Sequence, residues 1–412
     1  MHAMLTTRLG FPRVRGHGAL VVAFLIDAFG TGLYAPFSLL YFHTVVGLSI
    51  PAIGGALTVA TVATLPLTPL TGTLAARVGA RRLVVASQLL QALGFLGYLA
   101  VRGLPALLGT AVLVTAGARM FYAASTALIA EVAGPAERDR WYGFIGATQN
   151  VGLGGGALLA GVVVAVNGAV GYRVLIAANA CSFLAAAALL HWYGEERRSP
   201  HVASAPRTSG YRAVLADRAF LGVVLCNVAF ALCALTETIG LPIYATEAVG
   251  APTVVVGALF AFNTALVIGT QTVLVRRLEP HRRTRILAVA SVTWAAGYAL
   301  FVVALALPHA VVVPFLFVAV AVYAGGSLLH APTATALAAA SGPARLRGRY
   351  LAAYEFSWGI AAALAPALFG GFYALGPAWP WVVVAGLALV AGLGIIRIER
   401  HLPAQAVRRP PE

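Results

Sequence analysis

Lysine is missing from this 412-residue chain, and every one of its 28 basic residues is arginine. Charge of either sign is scarce: Asp and Glu together number 13, and charged residues make up 10% of the sequence. Soluble domains carry roughly 25% charged residues, so a water-exposed globular surface is excluded. Cysteine is equally sparse. Cys181, Cys226 and Cys233 all fall inside apolar runs, which indicates neither a disulfide framework nor a metal site. The chain also lacks a His-Glu-x-x-His metal motif, a nucleophile motif and a glycine-rich phosphate loop ending in Gly-Lys-Ser/Thr. A membrane-embedded enzyme and an ATP-driven pump are therefore disfavoured, and neither a cofactor nor a metal is expected.

What is abundant is hydrophobic sequence, at 60% of residues. It forms twelve long apolar runs, roughly 19–42, 52–75, 83–101, 106–131, 141–166, 172–193, 219–245, 254–275, 285–306, 311–340, 350–374 and 379–397. Most reach the ~20 apolar residues that cross a bilayer's hydrocarbon core. The first run is too long for the apolar core of a cleavable signal peptide. Arginine then sorts the gaps: 25 lie in alternate gaps and the two termini, and only Arg102 and Arg173 lie in the others. Basic loops stay in the cytoplasm, so the sequence predicts an all-α, multi-pass protein of the cell membrane with both termini inside. The net charge of +15 is split among seven short segments. That distribution fits arginines facing anionic lipid and argues against a nucleic-acid surface.

The chain reads as a tandem repeat with an offset of about 203 residues. Tyr41 through Gly47 matches Tyr244 through Gly250, and Gly54 matches Gly257. Gly134-Pro135, followed by Arg138, Arg140 and Tyr142, is similar to Gly342-Pro343, followed by Arg345, Arg347, Arg349 and Tyr350. The expected organisation is a six-helix half over 1–193, a cytoplasmic linker over 194–217, a second six-helix half over 218–398 and a cytoplasmic tail over 399–412. Parallel repeats of this kind mark secondary transporters, with the substrate site between the halves.

Between the second and third runs lies Gly72-Thr73-Leu74-Ala75-Ala76-Arg77-Val78-Gly79-Ala80-Arg81-Arg82. This run resembles the signature loop of the major facilitator superfamily, Gly-x-Leu-Ala-Asp-Arg-x-Gly-Arg-Arg/Lys, with Ala76 replacing the Asp and Ala80 an Arg. Arg119 resembles the family's buried arginine, without the glycines that follow it. Gly152, Gly154, Gly155, Gly156 and Gly161 are similar to the glycine-rich motif of drug:proton antiporters, without its proline. The resemblance covers essentially the whole chain. It implies twelve transmembrane helices in two pseudo-symmetric halves, with spans 1, 4, 7 and 10 lining a central cavity. It also implies a cytoplasmic gate at Gly72, Arg77, Gly79 and Arg81, paired with Glu131.

A charge near the bilayer centre costs at least ~2.5–3.5 kcal/mol, so each one needs a reason. Asp27, Arg119, Glu237 and His330 place one ionisable residue in each of runs 1, 4, 7 and 10, and Glu355 lies near the start of run 11. Asp27 and Arg119 fall at similar depth, which suggests an ion pair that either couples transport to protons or only orders a helix interface. In the repeat register Glu237 matches Tyr34, seven residues beyond Asp27, so the two share a helix face two turns apart. Glu237 then suits a cation-binding or second proton site, or anchors the outer end of its span. His330 is either a titrating group or a hydrogen-bonded packing residue, and Glu355 either a gate partner for Arg347 or Arg349 or a cavity group. Asn150, Asn263 and Gln271 are polar candidates for the cavity wall or for interhelical contacts. Gly152 and Gly156, one turn apart, also allow two spans to pack closely.

These readings converge on a monomeric, proton-coupled secondary transporter of a small molecule, working by alternating access. Export of a lipophilic or cationic drug or metabolite is the favoured direction, and import of a small metabolite is the alternative.

Overall fold

The computed structural model describes residues 16–133, 138–192, 211–278, 281–343 and 346–408. The N-terminal arginines, Gly134-Pro135, Arg345 and most of the 194–217 linker lie outside the described residues. Those described are almost entirely helical, and no strand occurs among them.

In chain order the longer helices are α1 (Gly18–Tyr34), α2 (Ile50–Thr64), α3 (Leu67–Val78), α4 (Ala80–Tyr98), α5 (Leu104–Val132) and α6 (Arg138–Trp192). After a short α7 (Tyr211–Ala216) come α8 (Arg218–Ile243), α9 (Thr253–Leu278), α10 (Arg283–Ala304), α11 (His309–Ser341), α12 (Arg347–Tyr373) and α13 (Trp379–Ile398). A single 3-10 turn, Glu399–His401, and a short α14 (Ala404–Val407) follow.

Nine helices among the described residues are long and apolar enough to cross a membrane. Twelve runs were expected, and the difference has local causes. Pro66 splits the second run into helices of 15 and 12 residues. The third run, α4, is diluted by Arg81, Arg82, Gln88 and Gln91. The fifth and sixth runs are two helices that meet at Gly168, whose φ 53°, ψ −131° is not helical, so Arg138–Trp192 counts once among the nine although it is two helices in succession.

Packing groups the chain into two units, one of Met1–Leu48 with Val59–Ala205, the other of Ser49–Thr58 with Pro206–Glu412. In the first unit α1 packs on α6, and α4 packs on both α5 and α6. Phe24, Leu83, Phe121, Leu128, Trp141 and Leu190 form its apolar centre. In the second, α8 packs on α12 and α13, and α10 packs on α11 and α13.

The 203-residue offset is visible in the backbone. A π-helical turn spans Tyr41–Val45 and recurs at Tyr244–Ala248. Gly47 and Gly250 each follow it with positive φ, 80° and 76°, a conformation glycine adopts without a Cβ clash. Tyr41 Oη donates to the carbonyl of Tyr98, and Tyr244 Oη donates to that of Phe301, each 57 residues further on.

Close approach of helices explains the glycines of α6. Ideal Cβ positions at Gly152 would lie 2.9 Å from the Leu25 carbonyl, and one at Gly156 would overlap the Phe29 carbonyl. The α1 and α6 backbones therefore touch along this stripe, as the packing reading of Gly152 and Gly156 anticipates.

Candidate functional site

Buried polar sites stand out in both units, one in the first and two in the second. In the first, Asp27 on α1 is 6% exposed, and its Oδ1 accepts a 2.7 Å hydrogen bond from Gln88 Nε2 on α4. Gln88 is fully buried, and its Oε1 has no protein partner. One turn along α1, Gly30 lies against Ser182 and Asn179 of α6. Asn179 is fully buried, accepts from Ser182 Oγ at 3.3 Å and leaves its Nδ2 without a protein partner. Polar groups thus converge on α1 from α4 and α6, surrounded by apolar packing.

Arg119 does not pair with Asp27. A clear ion pair, Arg282–Glu399 at 2.6 Å, lies in the second unit and involves neither residue. Where α1 meets α5, Phe24 packs on Phe121 with ring centroids 5.5 Å apart. Arg119, two residues from Phe121, lies roughly 200° around α5 from that contact. Tyr34 is also committed elsewhere: its ring packs on Phe95 and Tyr98, at 4.6 and 5.8 Å.

In the second unit Glu237 on α8 is 2% exposed, with Thr238 Oγ1 3.5 Å from its Oε2 and the Tyr323 hydroxyl beside it. Around it are α10 and α11 aromatics: Tyr298 and Tyr323 lie 6.0 Å apart, and Trp381 of α13 stacks on Tyr298. Thr236 Oγ1, Tyr298 Oη and Trp381 Nε1 are buried without a protein partner. Such groups in one region are the usual setting of bound water.

Nearer the start of α8, His330, Asn227 and Ser357 tie three helices together. Asn227 Nδ2 donates to Ser357 Oγ at 2.6 Å, which leaves Asn227 Oδ1 to accept from His330 Nε2 at 3.0 Å. Ser357 in turn donates to the Tyr354 carbonyl at 2.5 Å. The His330 ring is 1% exposed and lies 5.0 Å from both Phe230 and Trp294. This is the hydrogen-bonded packing arrangement among the two readings of His330.

The other candidates are more peripheral within their units. Glu355, Asn150 and Gln271 are exposed, whereas Asn263 on α9 is half-buried with its Oδ1 unsatisfied. In the signature loop, Gly72 lies within α3 and Arg77 is exposed in its last turn. Gly79, at φ 97°, breaks α3 from α4. Arg81 Nη1 donates to the His191 carbonyl at 3.2 Å, and Glu131 is exposed in the last turn of α5.

Gln88, Asn179, Asn227, Tyr323 and Ser357 are absent from the sequence-based candidates, whose uncharged members are Tyr34, Asn150, Asn263, Gln271, Gly72 and Gly79. The signal was present: an amide in an apolar run needs a partner just as an acid does. Gln88 and Gln91, three residues apart in α4, mark one polar face of the third run.

A family model for the Major Facilitator Superfamily matches residues 20–326. Curated relatives include Multidrug resistance protein MdtH of Edwardsiella ictaluri, 30% identical over 182 residues that make up 44% of each chain. The same-named protein of Sodalis glossinidius is 27% identical over 285 residues, 68% of this chain and 66% of that one. The chain thus spans less than two thirds of the length of either relative. Among solved structures, the nucleoside transporter NupG aligns with a TM-score of 0.74 at 11% identity, covering 93% of this chain and 98% of that one. A bacterial homologue of the iron transporter ferroportin, in an inward-facing state, aligns at 0.73 with 14% identity, covering 94% and 99%. Likeness at such identities is one of fold.

Proposed function

Because the chain belongs to the Major Facilitator Superfamily, we propose that it is a proton-coupled secondary transporter exporting a lipophilic or cationic small molecule. It works with twelve spans, both termini in the cytoplasm and alternating access of its two repeats. The alternating arginine gaps support the orientation, and the relatives named for multidrug resistance support the substrate class.

The observation that carries the coupling is Asp27, a buried carboxyl whose hydrogen-bond partner is the neutral amide of Gln88. A proton arriving there changes the local charge by one with no ion pair to offset it. Protonation is therefore linked to any motion that changes the burial of Asp27. One amide can serve both states. Gln88 Nε2 donates to the carboxylate, and Gln88 Oε1, otherwise unpartnered, can accept from the carboxylic acid after the amide turns over. The expected Asp27–Arg119 switch gives way to an Asp27–Gln88 switch.

Glu237 provides the second acidic site, suited to a cationic group by its carboxyl and to an aromatic or ammonium group by the surrounding rings. The test is drug uptake driven by a proton gradient into inverted vesicles. Asp27→Asn should retain substrate binding and lose gradient-driven transport, whereas Glu237→Gln should lose affinity for cations and keep that for neutral compounds. Full gradient-driven transport by Asp27→Asn would exclude Asp27 as the coupling site.

A further inference from the structure

Two adjoining cavities open at one end of the second unit, where α10 begins and α13 ends. One, of about 670 Å³, is lined by Arg282, Arg285, Arg400 and Arg408. The other, of about 350 Å³, shares Arg282, Arg285 and Arg408 and adds His281. Glu399 is the one acid lining either cavity among the described residues. It is already committed, accepting from Arg282 Nη1 at 2.6 Å and Thr284 Oγ1 at 2.5 Å.

The charge is brought together by the fold rather than merely scattered along loops. Residues 399–408, expected to be a cytoplasmic tail, fold back onto α11 and the start of α10. Arg283 Nη1 donates to the carbonyls of Gln405 and Ala406 at 3.0 and 2.9 Å, and Leu402, Ala406 and Val407 are buried. This docking carries Arg400 and Arg408 to the side of Arg285. Like charges held together repel, and a bound anion removes that cost.

The remaining wall is apolar and faces outward. Val289 and Ile396, on helices of membrane-crossing length, are 56% and 42% exposed. A cationic rim above an exposed aliphatic wall has the chemistry of a phospholipid: phosphate at one end, hydrocarbon at the other. We propose that this is a binding site for an anionic phospholipid. Its phosphate is held by Arg285 and Arg408, and an acyl chain lies along Val289 and Leu329. The site would tie the docked chain end to the membrane.

Native mass spectrometry of the purified full chain, titrated with phosphatidylglycerol or cardiolipin, tests this. The wild type should retain one tightly bound anionic lipid that phosphatidylethanolamine does not replace. Arg285→Ala with Arg408→Ala should weaken it about 25-fold, from about fivefold per arginine near an anionic surface. Arg212→Ala with Arg218→Ala, which removes equal charge from exposed positions elsewhere in this unit, should leave it unchanged. Equal weakening by both pairs would overturn the site in favour of general surface charge. Val289→Trp keeps every arginine and should still expel the lipid; retention of the lipid would overturn the acyl-chain placement and with it the proposal. Displacement by millimolar inorganic phosphate or pyrophosphate would show a free-phosphate site instead and sink the lipid assignment.

Discussion

Replacing Gln88 with leucine removes the hydrogen bond that α4 donates to Asp27 while nearly conserving volume, so little packing cost is added. Interhelical hydrogen bonds in membrane proteins average about 0.6 kcal/mol and reach about 1.7. A bond to a charged acceptor is worth about 1.5–3 kcal/mol. Gln88→Leu is therefore expected to cost about 1–2 kcal/mol of stability when Asp27 is present. With Asp27→Leu already made, the Gln88 amide has lost its partner and is buried at both ends. Removing it should then cost nothing or be stabilising, since an unsatisfied buried amide is itself penalised by about 1–3 kcal/mol. The double-mutant cycle should show coupling of about 0.6 kcal/mol or more. The assay is unfolding in mixed micelles, followed by Trp fluorescence, with all four proteins first shown to be inserted and monodisperse. The size of the coupling is informative. A value near 0.6 kcal/mol fits a neutral bond, and one above about 1.5 fits an ionised acceptor. Additivity within about 0.3–0.5 kcal/mol would refute the pairing and the proton switch built on it.

Gly156→Ala should cost about 1–3 kcal/mol or block insertion, because the new methyl meets the Phe29 carbonyl; the neighbouring Gly155→Ala, with only ordinary contacts to the Phe29 ring at 3.6 Å, should be neutral, and equal yields of both would contradict the α1–α6 contact. Cysteines introduced at 43–50 should be labelled from outside the cell and those at 200–210 only from inside; the opposite pattern would reverse the orientation and the export direction. Asn227→Leu should destabilise the second unit by about 1–3 kcal/mol by stranding His330. Its effect on thermal unfolding should exceed that of Ser357→Ala, because Asn227 bridges both partners.

Fold class was legible because two signals, long apolar runs and alternating arginine, act along the chain and need no tertiary information. The elements that depart from a run-by-run reading do so for local reasons: Pro66 cuts one run and the polar residues of α4 dilute another, while the fifth and sixth runs stay separate helices on either side of Gly168. Asp27 was legible as a lone acid in an apolar run that needs a partner, but which neighbour supplies that partner is decided by packing, where Phe24 meets Phe121 and Gln88 meets Asp27. The polar partners Gln88 on α4 and Asn179 and Ser182 on α6 are uncharged, and nothing in the sequence alone shows that they meet α1. The docked chain end was invisible for a different reason, since its hold depends on Arg283 reaching two backbone carbonyls more than a hundred residues away.

The repeat register settles how the two acids relate. Three backbone features share the 203-residue offset: the π-helical turns, the positive-φ glycines and the tyrosine hydroxyl bonds across 57 residues. On that register the counterpart of Asp27 is Phe230, and the counterpart of Glu237 is Tyr34. Phe230 packs on Trp294 and His330, and Tyr34 packs on Phe95 and Tyr98. Each repeat therefore puts a carboxyl where the other puts an aromatic ring. The two carboxyls stand seven residues apart in the common frame, about 10 Å of helix rise. A duplicated fold with identical acids would bind the same ligand twice. Here the aromatic surroundings of Glu237 and the amide partner of Asp27 give the two acids different chemistry. Under the proposed coupling, that divergence would leave one acid to the proton and the other to the cargo. It follows that exchanging Asp27 for phenylalanine and Phe230 for aspartate should not restore coupling, even if the protein folds. Recovery of gradient-driven transport in that swap would show the two levels to be interchangeable and the asymmetry to be incidental.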